Sequence, residues 1–222
     1  MRRFFYDNSL SIVLFVLFAL SLAGQSVTGL SEYNEDQQKH GQPTVGYVEY
    51  LATGHFVEAT FENWESEFLQ MAAFVVLTAF LYQKGSAESR VPHAIDEADV
   101  RLLPEDIPED APWPAKRGGW VLRLYENSLA IAFVVLFLLS LLLHAAGGAV
   151  EYNQEFFEHG GAGQRLNAFT YMATSRFWFE SFQNWQSEFL SVFAMVVLSI
   201  FLRQRSSPES KPVHAAHSET GR

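Results

Sequence analysis

Apolar and polar residues are laid out along this chain in long blocks. Residues 8–31 run for 24 positions without Asp, Glu, Lys or Arg, and residues 127–150 do the same. Uncharged apolar blocks above about 18 residues have the length of a membrane-crossing helix. Two shorter apolar blocks follow, 68–83 and 189–202. The pattern predicts an all-α, polytopic membrane protein with four transmembrane helices, at about 9–30, 61–83, 127–149 and 182–203.

The blocks also repeat. Residues 50–83 return as 171–204 with 18 of 34 positions identical at a shift of 121. Upstream the shift is 119: Asn8-Ser9-Leu10 matches Asn127-Ser128-Leu129, Glu32-Tyr33-Asn34 matches Glu151-Tyr152-Asn153, and His40-Gly41 matches His159-Gly160. Internal self-similarity fixes architecture before any local assignment. The expected organisation is a first two-helix repeat over 6–94, an acidic Pro-rich cytoplasmic linker over 95–119, a second repeat over 120–205, and a disordered tail over 206–222. The apolar start after Arg2 and Arg3 has the form of a signal peptide. Its counterpart lies mid-chain, so a retained helix is expected.

Charge sets the orientation. With termini and linker inside, twelve Lys and Arg fall on the inner side and three (Lys39, Arg165, Arg176) on the outer, which places the termini on the cytoplasmic side. Both hairpins then point the same way, unlike inverted transporter repeats. Seven acids and several prolines between residues 92 and 114 read as a tether. Each outer loop is about thirty residues, rich in aromatics, and predicted to hold a short helix at the membrane surface. There is no cysteine, so thiol chemistry and disulfides are excluded. No basic face suggests nucleic-acid binding.

The second and fourth apolar blocks are short. Fourteen residues rise only about 21 Å, against a hydrocarbon core of about 30 Å, so full-length helices take in Glu67 and Glu188. At helical spacing Thr60, Asn63, Glu67, Gln70 and Thr78 form a polar stripe, answered by Ser181, Asn184, Glu188, Ser191 and Ser199. Gln25 and His144 sit at a similar depth on the first and third helices. One expectation pairs Gln25 with Glu67 and His144 with Glu188 in a polar site for a proton, cation or compact solute. The other makes these residues interhelical glue, with Asn63 and Asn184 as helix caps and Trp64 and Trp185 as interface anchors. A divalent-metal set in the outer loops is a further candidate: Glu32, Glu35 and His40, repeated as Glu151, Glu155 and His159.

Motifs of familiar enzymes are absent, no cofactor is implied, and haem is disfavoured because His144 is the sole histidine within an expected span. The string Asn63-Trp64-Glu65-Ser66-Glu67-Phe68-Leu69 with Gln83-Lys84-Gly85-Ser86-Ala87-Glu88-Ser89 recurs at 184–190 with 204–211. It resembles a family of small bacterial integral membrane proteins of unknown function. The opening helix, 8–25, also resembles that family's first motif, and the second copy departs by placing His144 where the first has Gln25. The resemblance implies an integral membrane protein and supplies no activity. The reading reached is a non-enzymatic inner-membrane bundle, structural or stress-related, surrounded by lipid and associating with itself or another membrane protein. The alternative is a small transporter or channel, and a membrane enzyme comes third.

Overall fold

The computed structural model describes residues 2–89, 107–158, 161 and 163–221. Among these every regular element is helical, and none is a strand. In order they are α1 (Arg2–Asp7), α2 (Ser9–Lys39), α3 (Tyr47–Tyr50), α4 (Gly54–Phe80), α5 (Trp113–Arg117), α6 (Gly119–Glu126), α7 (Ser128–Glu158), α8 (Ala168–Tyr171) and α9 (Ser175–Phe201). α2 and α7 each have 31 residues, α4 and α9 each 27, and a four-residue helix precedes each of the latter.

Among the described residues three helices are long and apolar enough to cross a membrane: α2, α7 and α9. They leave large apolar side chains such as Phe15, Leu17, Leu136, Leu139 and Phe193 exposed, a surface suited to lipid rather than water. α4 is not among the three. The difference lies in its apolar half, where Gln70, Met71, Ala72 and Ala79 stand against Ser191, Val192, Phe193 and Ile200 of α9.

The helices outrun their apolar blocks. α2 and α7 continue nine residues past the expected ends at 30 and 149, because the polar continuation is rich in Glu and Gln, which sustain a helix without being apolar. α4 and α9 begin seven residues before 61 and 182. Thr53 and Thr174 cap them, each hydroxyl accepting the N–H three residues on (Phe56 and Phe177) at 3.3 Å. Asn63 and Asn184, expected as caps, lie inside the helices. The linker residues 95–106 fall outside the described residues, as does His159; the linker's end forms α5.

The chain divides into two compact units, Met1–Phe61 with Leu142–Trp178, and Glu62–Leu141 with Phe179–Arg222. In the first unit the loops after α2 and α7 are held by one device used twice. Asn34 clamps Val45 by two backbone bonds of 3.0 and 2.8 Å, and Asn153 clamps Leu166 by two of 2.8 Å. α4 and α7 approach backbone to backbone at Gly54 and Gly147. A methyl on Gly147 would lie 2.5 Å from the Glu58 nitrogen, and one on Gly54 would lie 2.8 Å from both the Gly147 carbonyl oxygen and the Glu151 nitrogen. Such close approach is what small residues permit in lipid-embedded bundles.

In the second unit, α4 and α9 are each followed by the same turn. Ser89 Oγ accepts the Gln83 N–H at 3.0 Å, and Ser210 Oγ accepts the Gln204 N–H at 2.9 Å. Ser86 and Ser207 likewise take the N–H of Glu88 and Glu209. The tail after Arg205, expected to be disordered, is a run of turns. Its Lys211 ammonium is buried and donates to the carbonyls of Ala216, His217 and Glu219 at 3.1, 3.1 and 2.8 Å. Thr220 and Gly221 bond to Gly85 and Ser86.

Candidate functional site

The densest set of buried polar groups in the first unit surrounds Glu58 on α4 and His144 on α7. Glu58 is 7% exposed, and His144, Tyr171 and Phe177 are 0%. The His144 ring stacks on Phe177 at 4.7 Å and 28°. Tyr171 donates its phenolic O–H to Glu58 Oε1 at 3.1 Å. A carboxylate oxygen of Glu58 and a ring nitrogen of His144 lie within 4.8 Å of one another. Carboxylate and imidazole in a dry setting strongly favour sharing a proton or holding a cation, since an uncompensated buried charge is costly.

A second set lies toward the loops. Glu151 is 9% exposed, with Oε2 lacking a hydrogen-bond partner among the described residues. His55 bridges Glu32, 3.2 Å from its Nε2, and the Tyr50 hydroxyl, 3.1 Å from its Nδ1. The Tyr50 phenol is pushed up to about 12, first by burial and then by the charges of Glu32 and Glu151.

In the second unit the polar stripes meet. Gln70 Nε2 donates to Ser191 Oγ at 2.9 Å and to the Glu188 carbonyl at 3.1 Å. Glu65 is buried and accepts the Trp185 indole N–H at 2.9 Å. Ser86 and Ser199 exchange a hydroxyl bond at 3.0 Å.

A family model described as a domain of unknown function, DUF6766, matches residues 1–222. The chain belongs to the DUF6766 family. No curated protein and no solved structure matches it. Its place in DUF6766 agrees with the resemblance drawn from the sequence and leaves the chemistry to the residues themselves.

Those residues sort differently from the sequence expectation. Gln70, Ser191 and the backbone of Glu188 come together, while Asn63 and Glu67 are exposed. Asn184 spends its amide on the Glu180 carbonyl at 3.2 Å. Gln25, expected opposite Glu67, gives its amide to Thr60 at 3.3 Å. Within the first unit a carboxylate beside the His144 ring is that of Glu58. The outer-loop metal set does not gather among the described residues. Glu32 is taken by His55, His40 by Asp36, and Glu155 by an ion pair with Arg176.

Trp185 gives its N–H to protein rather than to headgroups, and Trp64 is half-buried. Two features of the sequence hide Glu58. It precedes the helix start expected at 61, and the position matching it at the repeat shift is Phe179, so polarity is not kept in both copies. The usable signal was an acid within a segment that Thr53 can cap.

Proposed function

We propose that this DUF6766 protein is a non-enzymatic, multi-pass bundle of the bacterial inner membrane. Four spans form two parallel hairpins with cytoplasmic termini, and the bundle associates with itself or another membrane protein. The observation that carries this is the bond from Gln70 to Ser191. The two positions are equivalent at the repeat shift of 121. When two like-oriented copies are related by a two-fold axis, only residues beside that axis meet their own counterparts. The matched lengths of α2 with α7 and α4 with α9 support the same reading, and α4 is taken as a span because α9 is one. Polar stripes that bond each other act as interhelical glue.

A cysteine-free chain makes the test direct. Single cysteines at Gln42, Glu109 and Glu219 are probed with a membrane-impermeant maleimide. Gln42→Cys labels in cells with a permeabilised outer membrane, whereas Glu109→Cys and Glu219→Cys label only after lysis. The opposite pattern at Glu109 would sink the proposal.

Burial of Glu58 beside His144 favours a second reading, a proton or cation site in the first unit. On that reading Glu58→Gln and His144→Ala each abolish pH-dependent ion uptake by reconstituted vesicles without loss of folded protein. Vesicles of the unaltered protein that take up no ion at any pH would remove it.

A further inference from the structure

The turns after α9 enclose a cavity of about 510 Å³ lined by Arg205, Ser206, Ser207, Ser210, Lys211 and His214 among others. Neither acid of the tail, Glu209 or Glu219, lines it. Independently of the cavity, the segment has more cation than it can neutralise. Arg203, Arg205 and Lys211 form no ion pair among the described residues. Arg203 donates to the carbonyls of Ser199, Ile200, Leu202 and Ala215 instead. Lys211 gives its three donors to carbonyls, with the Glu219 carboxylate offsetting part of its charge. Arg205 is exposed at the cavity and spends none of its guanidinium on the protein.

Hydroxyls and a cation facing one open cavity make a phosphate-binding surface. Its position narrows the source of the phosphate. α9 ends at Phe201; Phe201 and Leu202 at the helix end, and Val213 in the cavity lining, are apolar and exposed at 57%, 59% and 65%. A soluble phosphate has no use for apolar groups at a helix end, whereas a lipid brings acyl chain and headgroup together. We propose that this cavity binds the phosphate of an anionic lipid headgroup, with Arg205 as the charged contact and Ser207 and His214 as polar ones. The inference rests on α9 spanning the membrane with its end at the cytoplasmic face, where anionic lipids attract basic segments.

The full chain in a neutral detergent is titrated with short-chain phosphatidylglycerol, phosphatidylcholine and inorganic phosphate. Saturable binding of phosphatidylglycerol over phosphatidylcholine is expected, weakened about fivefold by Arg205→Gln, the worth of one basic residue near an anionic surface. Arg165→Gln, in the other unit, leaves it unchanged. Equal affinity for the two lipids, or no effect of Arg205→Gln, overturns the proposal. Displacement of the lipid by inorganic phosphate at matching concentration also overturns it, in favour of a soluble ligand. The cysteine labelling at Glu219 reads the topology separately, so failure of the cavity and failure of the spanning arrangement give different results.

Discussion

Replacing Gly147 by alanine isolates the closest backbone approach in the first unit. The added methyl would sit 2.5 Å from the Glu58 nitrogen, 3.1 Å from its Cα and 3.0 Å from Val57 Cγ1. Two of the three are backbone atoms, so no side-chain rotation relieves the overlap and α4 must move by roughly half an ångström or more. Overpacking of this kind costs about 1–3 kcal/mol. Alanine in a helix interior also gains up to about 1 kcal/mol over glycine, which would blur a single measurement. Gly24, inside α2, removes the ambiguity, because a methyl there meets nothing within 4 Å. Gly24→Ala carries the propensity gain alone, and Gly147→Ala carries the gain and the overlap together. The difference between them, about 1–3 kcal/mol, belongs to the contact. Reversible unfolding in mixed micelles, followed by tryptophan fluorescence, measures both variants against the parent. Equal stability would refute the claim that α4 and α7 touch through their backbones.

Other outcomes follow from the same contacts. Tyr171→Phe strips the buried Glu58 of a donor and is expected to cost about 1–3 kcal/mol, an effect that shrinks in a Glu58→Gln background, where the acceptor is a neutral amide oxygen. Gln70→Ala and Ser191→Ala, combined in a double-mutant cycle, should couple by about 0.6 kcal/mol, the scale of hydrogen bonds between membrane helices; zero coupling would separate the two stripes. The Tyr50 phenol, held up to about 12 mainly by burial and then by Glu32, keeps its proton more tightly in the folded chain than in the unfolded one, where tyrosine titrates near 10. Its contribution to stability is therefore whole below pH 10 and is lost as pH rises toward about 12. Phenolate absorbance of the parent minus that of Tyr50→Phe reports the midpoint, and a midpoint near 10 would contradict the burial.

The sequence carried the long helices because their information is an uninterrupted apolar run. It misplaced their ends because polarity and helicity stop at different residues. Glu and Gln after Leu30 end the greasy block yet prolong the helix, and Thr53 starts a helix whose first turns are polar. The recurring Glu-Tyr-Asn string was legible as repetition and opaque as mechanism. Only the loop geometry shows that Asn34 and Asn153 each pin a returning backbone. The same holds for the serines after α4 and α9, which read as a family signature and act as turn caps. The Glu58 cluster was hidden for a different reason. Its members come from residues 58, 144, 171 and 177, no two of which are related by the repeat shift. A search guided by symmetry finds Gln70 with Ser191 and passes over what is asymmetric.

That asymmetry has a physical logic. Glu58 is bonded by Tyr171, and Glu65 by Trp185, in both cases a carboxylate of the first repeat and an aromatic donor of the second. The reverse contacts to a carboxylate cannot form, because the positions matching Glu58 and Glu65 are Phe179 and Gln186. Two identical hairpins meeting about a two-fold axis would bury every such carboxylate twice, and each ionised group taken out of water carries a desolvation penalty of several kcal/mol before any partner offsets it. On the proposed hairpin arrangement, joining the two copies in one chain lets one do without the acid while the other keeps it with its donor. Gln186→Glu puts the second carboxylate back. It should destabilise the bundle unless its own match for Trp185, Trp64, is placed to donate, and unfolding of Gln186→Glu beside Gln186→Glu/Trp64→Phe decides between the two. A cost that is the same with and without Trp64 means the second repeat has lost the geometry as well as the charge. A cost that grows when Trp64 is removed means the donor is still in place and only the acid was dropped.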